Sequence, residues 1–596
     1  MWIAQAITAP ADGIQPAVLL EAAGAQYLFN VPEAFSRLAL EHKCRPKGSL
    51  RAVFALGAGT AATGGLGGLL LRLKADGHGQ LRLIGPTGMI AVAHALRHSI
   101  RWEHPQVLLS QCLPGPLDSS AYQDEQMEVT ALDSNADGSA EQGAALKGAH
   151  QANGGTAVRH IKHVLVTGSP NPLYSRSFDP GEQGPVRSQA AGPGRDQHLW
   201  GYLCHMRACA SVLLFLCCRD LTDMAQISRH PVIASLQHAH ASRRVVVFHM
   251  TSWALSHQSD YATWLTSLPG QQVQVAGQQQ QQELGFVRAA CAQVSLAALA
   301  PARFLPPAAL PWMASLAQEE SKTPPEESVP LPHTQQSPMG HTSPLAPLQD
   351  VPVPACLLGE AGAVRVTFLG TGAAEPSKHR APSAIHLQVT SAAGVLLDCG
   401  EGTWGQFVHF WGASGAVKKV EQLACVWISH KHADHMLGLG GILSARSHCA
   451  TPLLVIGTRA VQSWLRELGP HMGWRYIFVS CSMCTGAALN SMLTQLGLAG
   501  WQCIPVRHCR DAWGCVLTSR QGWRIAYSGD TLPCIPTFSQ AALGATLLIH
   551  EATFESDMAH QAQAKRHSTV DGALQTESSG TTPQYPLREG QRPKRV

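Results

Sequence analysis

The chain has 596 residues, too many for one ordinary domain and enough for two or three. Hydrophobic residues make up 45%, which allows large cores, and a formal net charge of +4 neither announces a nucleic-acid binder nor opposes a polyanionic substrate. Seventeen cysteines at irregular spacings exclude a small disulfide-stapled secreted scaffold and read as reduced intracellular thiols.

The first residues, MWIAQAITAP, lack the basic region of a secretory signal, and strand-like sequence follows almost at once, leaving little room for a cleavable leader. QYLFNVPEAFSRL at 26–38 reads as a strand running into a turn. GAGTAA at 57–62 follows a strand-like run and fits G-x-G-x-x-A, but no convincing acidic residue ends a later strand, so a dinucleotide site is not expected. Polar residues at 115–158 and the Gly- and Pro-containing stretch at 178–197 read as disordered insertions. ACASVLLFLCC at 208–218 is the longest apolar run; it falls short of the roughly 20 residues that span a bilayer and reads as a buried strand. The glutamines at 278–282 read as a low-complexity loop, and 317–356, rich in Pro, Ser, Thr and Gln, as an extended linker. The expected organisation is a domain over 1–316, the linker, a second domain over 357–570, and a disordered tail over 571–596.

Past the linker, VRVTF turns at Gly370 and Gly372, GVLLD ends at Asp398, and LACVWIS runs into HKHADH. His430 and His432 lie two apart on an extended segment, point the same way and can grip one ion. The turn that follows lets Asp434 and His435 face a second ion. His508 in CIPVRHCRDAWG and Asp530 in WRIAYSGDT each end a strand-like run. A polar turn after a buried strand would explain any one of these residues. Several in order at strand ends describe a metal site along a sheet edge. CSMC at Cys481–Cys484 has no clear second pair and reads as thiols rather than ligands.

The halves flanking the linker resemble each other. VLLDCGEGTWGQF at 395–407 matches QYLFNVPEAFSRL, with Asn30 opposite Asp398 and Glu33 opposite Glu401. GLGGIL at 438–443 matches GLGGLL at 65–70, which sets Gly57, Gly59, Ala61 and Ala62 against His430, His432, Asp434 and His435. The expected architecture is a duplicated domain whose first copy has lost its site.

HxHxDH, a distant His and an Asp in SGDT together resemble the metallo-β-lactamase superfamily. FLGTGAAEPSKHRAPSA, LLDCGEGTWGQ, ISHKHADHMLGL, PVRHCRDAWG, YSGDTLPC, LIHEATFE and KRHST, covering most of 364–569, resemble the long-form tRNase Z endonucleases within it. YLFNVPEAFSRLALEHK at 27–43 and VVVFHMTSW at 245–253 resemble their site-less N-terminal domain. The resemblance implies an α/β fold, a duplicated αββα sandwich, and a monomeric zinc-dependent endoribonuclease that removes the 3′ trailer of precursor tRNA, leaving a 3′-hydroxyl. It implies that His430, His432 and His508 hold one Zn²⁺ and Asp434 and His435 another, with Asp530 bridging and Mn²⁺ or Mg²⁺ as alternatives. It makes Asp434 the group that orients or deprotonates the attacking water, His567 the acid for the leaving oxygen, and Glu551 the support of that imidazole. Lys378 and Arg380 would meet the acceptor end of the tRNA, and a nucleus, mitochondrion or chloroplast would be the compartment. Three departures stand beside it: no histidine follows His567, Ala381 follows Arg380 where the family usually has Asn, and no basic arm is evident between 198 and 243. The first leaves open a longer functional chain, recruitment of His567 as a ligand, or a weakly held second ion.

Overall fold

The computed structural model describes residues 2–7, 16–112, 120–133, 162–166, 199–275 and 364–578, less short gaps at 45, 47, 210, 234–235, 237–243, 374–376, 378 and 534. The expected insertion at 178–197, the glutamine run, the linker and Lys378 lie outside the described residues.

The duplication is written in the sheets. In the first half, Trp2–Ile7, Ala17–Ala22 and Ala25–Phe29 pair antiparallel, then Leu50–Phe54, Gln80–Gly85 and Gln106–Gln111 join in parallel, with Lys162–Val166 antiparallel at the edge. In the second half, Arg365–Gly370, Ala384–Gln388 and Gly394–Leu397 pair antiparallel before Leu423–Trp427, Leu453–Gly457 and Tyr476–Ser480 join in parallel. Each half has a second sheet. Met127–Asp133, Leu199–Met206, Ser211–Leu216 and Arg244–His249 run antiparallel, antiparallel, parallel, and so do Leu498–Pro505, Trp513–Ser519, Arg524–Tyr527 and Leu547–Ile549. Sheet packs on sheet within each half: Phe29 stacks on Phe215 with ring centroids 3.6 Å apart in one, and Trp427 meets Tyr527 at 5.9 Å in the other.

A third core lies between the halves. It buries Phe35, Leu69 and Val92 of one with Phe407, Leu439 and Leu465 of the other, so helices Phe35–Glu41, Leu66–Ala75 and Met89–Ala95 face Thr403–Glu421, Leu439–Ala445 and Arg459–Met472. Across this seam, Arg97 and His98 bind Glu467 at 2.8 and 2.9 Å.

Two expectations need correction. Residues 120–133 are ordered within the stretch expected to be disordered, because Met127, Val129 and Ala131 alternate inward onto the sheet core despite polar neighbours. The expected tail over 571–596 begins within a helix, Val570–Ser578; Thr569 Oγ1 accepts from the Gly572 N–H in its first turn. The apolar run at 208–218 contains the strand Ser211–Leu216, buried at every position, as its composition indicates.

Candidate two-metal centre

The site forms where second-half strands end. Leu423–Trp427 delivers His430 and His432, and the four-residue helix Ala433–Met436 turns Asp434 and His435 back beside them. The loop after Leu498–Pro505 brings His508, the turn after Arg524–Tyr527 brings Asp530, and Glu551 follows Leu547–Ile549. His567 enters from beyond the helix Ala559–Lys565.

Ring nitrogens crowd together here. His430 Nε2 lies 2.9 Å from His432 Nδ1, which lies 3.0 Å from His508 Nε2. Asp530 Oδ2 stands 3.3 Å from His435 Nε2 and 3.7 Å from both His430 Nε2 and His508 Nε2. Asp434 Oδ2 is 3.7 Å from His435 Nε2.

Outer partners assign the tautomers. Ser429 donates its hydroxyl proton to Asp398 Oδ2 at 2.9 Å, so its oxygen accepts from His430 Nδ1 at 2.9 Å. Asp398 Oδ2 also accepts from His435 Nδ1 at 2.8 Å, and the Arg566 carbonyl accepts from His508 Nδ1 at 3.0 Å. His435 aims its Nε2 at Asp530, while His430 and His508 turn an unprotonated Nε2 inward and His432 offers Nδ1. Burial keeps them neutral: it pushes His430 well down, His432 to about 4, and His508 down against the pull of Asp530. Burial would also lower His435, yet the carboxylates of Asp530, Asp398 and Asp434 hold it well above the usual range. Burial opposes ionisation of Asp530, but the His435 charge holds it well below the carboxylate range.

Three neutral imidazoles and an ionised carboxylate are the donor set of a zinc-type ion. His430, His432, His508 and Asp530 place one donor atom each within 4.8 Å of one another. The residues fit the metal. His435, with Asp434 beside it, faces the same Asp530 and offers a second position with fewer protein donors.

Asp530, Glu551 and His567 form an adjoining cluster. Glu551 Oε1 accepts from His567 Nδ1 at 2.9 Å and from the Thr531 N–H at 2.8 Å, and its Oε2 accepts from the Thr553 hydroxyl at 2.7 Å. Burial would lower the His567 pKa, but the bond to Glu551 raises it. Arg380 is exposed, its N–H donating to Ser377 Oγ at 3.1 Å.

Sequence reasoning noted Asp398 as the partner of Asn30 but gave it no site role. Its carboxylate accepts from the Ser429 N–H at 2.7 Å, the Ser429 hydroxyl, His435 and the Tyr527 hydroxyl at 2.7 Å. The signal was present: an acid at the end of a buried strand, in a left-handed conformation (φ 56°) that Asn30 repeats (φ 62°).

A family model described as "Beta-lactamase superfamily domain" matches residues 394–578. The zinc phosphodiesterase ELAC protein 2 of Macaca fascicularis is 36% identical over 269 residues, 42% of this chain and 32% of its own length. The mitochondrial tRNase Z TRZ3 of Arabidopsis thaliana is 32% identical over 274 residues, 36% of this chain and 31% of its own. The chain thus spans about a third of the length of the curated relatives it matches. The crystal structure of a long-form RNase Z from yeast superposes with TM-score 0.68 at 17% identity, covering 97% of this chain and 92% of that one, which shows a shared fold. The second half thus matches a β-lactamase superfamily domain, and the cluster of candidate metal donors falls inside the matched residues. Its duplicated architecture has the fold of that long-form RNase Z.

Proposed function

We propose that the chain is a zinc-dependent endoribonuclease that removes the 3′ trailer of precursor tRNA and leaves a 3′-hydroxyl. The observation that carries this reading is the inward convergence of His430, His432 and His508 nitrogens on Asp530, in a chain folded like a long-form RNase Z. Its relatives are named as zinc phosphodiesterase and tRNase Z.

Bound metal would supply an activated water and stabilise charge developing on the phosphate. The protein's residues do the rest. His430, His432, His508 and Asp530 would hold one ion, and Asp434, His435 and Asp530 would face a second. Asp434 orients the attacking water and takes its proton. His567, kept protonated by Glu551, gives a proton to the leaving 3′ oxygen. Arg380 and Lys378 meet the phosphates near the acceptor end. We place the activity in the nucleus or an organelle and read the chain as a monomer, since its two halves already pack as a pair. Among the described residues no helix is long and apolar enough to cross a membrane.

The test is cleavage of a 3′-extended tRNA transcript by the purified chain with zinc or manganese added, against Asp434→Ala. Cleavage after the discriminator nucleotide, lost in the variant, is the expected result. A second reading is a tRNA-binding chain without turnover, favoured by a second position to which only Asp434, His435 and Asp530 contribute among the described residues. Two metal ions per chain would sink it, and so would cleavage.

A further inference from the structure

The site-less half reaches into the catalytic half at one place that duplication does not explain. Arg37, on the first-half helix Phe35–Glu41, is 0% exposed. Its Nε donates to the Ser377 carbonyl at 2.9 Å, and Nη1 donates to Gln406 Oε1 at 3.0 Å. Gln406 Nε2 in turn donates to the Leu369 carbonyl at 2.8 Å. Ser377 belongs to the segment between the strands Arg365–Gly370 and Ala384–Gln388, and Leu369 to the first of those strands, so one guanidinium holds the segment directly and the strand before it through Gln406.

That segment borders the metal centre. The Gly400 N–H donates to the Ser383 carbonyl at 2.9 Å. A Cβ on Gly400 would stand 2.5 Å from Pro382 Cβ and 2.3 Å from the Asp434 carbonyl oxygen, so Gly400 is wedged between the segment and the metal-bearing turn. The segment carries exposed Arg380, anchored through its N–H to Ser377 Oγ, the same residue whose carbonyl Arg37 holds. A cation on the rim of a phosphodiesterase site is useful only if its distance from the reacting phosphate is fixed.

The rest of the seam shows that this contact is one-way. Glu33 Oε1 accepts from the Gly402 N–H at 2.8 Å, and Glu401 Oε2 accepts from the Gly68 N–H at 3.1 Å, a reciprocal pair. Continuing the register of Glu33 with Glu401, Arg37 falls opposite Gly405, which has no side chain to return the contact.

We propose that Arg37 is a positioning residue through which the site-less half sets the substrate-facing loop of the catalytic half, so that Arg380 is held for the phosphates of an RNA substrate. This rests on the endoribonuclease reading above.

The experiment compares wild type, Arg37→Met, Arg37→Lys and Gln406→Leu on a 3′-extended tRNA and on a small phosphodiester, bis(p-nitrophenyl) phosphate, with zinc-loaded full-length chain. Arg97→Ala, which cuts the seam ion pair at Glu467, is the control for loss of inter-half contact in general. Arg37→Met is expected to raise KM for the tRNA by about tenfold and leave the small diester within about twofold. Arg37→Lys recovers part of the loss, Gln406→Leu reproduces it, and Arg97→Ala shows no such split. Hydrogen exchange at 379–383 quickens in Arg37→Met and Gln406→Leu but not in Arg97→Ala. Unchanged KM with unchanged exchange overturns the proposal, and so does an equal fall on both substrates matched by Arg97→Ala. If wild type hydrolyses the diester but neither binds nor cuts tRNA, the endoribonuclease reading fails on its own. The exchange data then decide whether Arg37 holds the loop.

Discussion

The two halves of this chain share a backbone and differ in what they place on it. At Asn30 and Asp398 the chain takes the same left-handed turn, and each side chain accepts from the backbone N–H that follows the next strand, Leu56 in one half and Ser429 in the other. Beyond that N–H they diverge. Gly57, Gly59, Ala61 and Ala62 stand where His430, His432, Asp434 and His435 converge, yet Thr60–Thr63 still forms the short helix that Ala433–Met436 forms opposite. The frame that aims a metal site is therefore separable from the site. Local hydrogen bonds and strand ends build the frame, and six side chains set the candidate metal site of the second half apart from the first.

The sharpest way to break the comparison is to bring the second half down to the first. Replacing Asp530 by Ala removes the carboxylate facing His430, His435 and His508, and is expected to cost about 10³-fold or more in phosphodiester hydrolysis, the scale of several kcal/mol of charge stabilisation. Metal analysis should show ions lost together with activity, and a chelator should do the same to wild type, with zinc restoring it. Retention of activity in Asp530→Ala would refute the placement of the centre.

A smaller change exchanges the frame residues themselves. Asp398→Asn gives the second half the first half's side chain. It keeps one acceptor for the Ser429 N–H but weakens the grip on His435 Nδ1, and should cost about 10- to 100-fold in zinc affinity or activity. The reverse change, Asn30→Asp, touches no ligand and should leave activity per folded molecule unchanged. A buried carboxylate there should cost about 1–3 kcal/mol of stability, read as a lower unfolding midpoint. Equal losses of zinc from both variants would show that Asp398 acts only on the fold.

The candidate ligands were legible because metal chemistry concentrates rare residue types in short segments at strand ends. HKHADH, His508 and Asp530 needed only their order along the chain. The duplication was legible because two backbones packed on equivalent cores keep matching glycines and apolar runs. What sequence did not show depends on tertiary placement. Asp398 is one acid among many until Ser429, His435 and Tyr527 are seen converging on it, and Arg37 lies 340 residues from the carbonyl it holds. The strand Met127–Asp133 was hidden in a polar stretch because its partner, Leu199–Met206, is remote in sequence. Helix Val570–Ser578 was read as tail because it is polar on most faces.

The last prediction concerns a feature in which the halves remain equal. Glu33 and Glu401 each cross the seam to a backbone N–H of the other half, and both are buried, at 7% and 3% exposure. Burial lifts Glu33 to about 8, against the pull of the Gly402 N–H, and Glu401 to about 7, against that of Gly68. An unfolded glutamate titrates near about 4.3, so between that value and about 8 the folded chain holds protons that the unfolded chain has released. The contribution is fully present below the unfolded value and is lost as pH rises through the folded ones. Zinc-loaded protein should melt roughly 3–8 °C lower at pH 9 than at pH 6, and Glu33→Gln with Glu401→Gln should flatten most of that slope. Loading with zinc removes the ligand histidines from the titration, since a coordinated nitrogen cannot take a proton. A slope that survives the double substitution would place the pH sensitivity elsewhere and leave the reciprocal glutamates as hydrogen-bond acceptors alone.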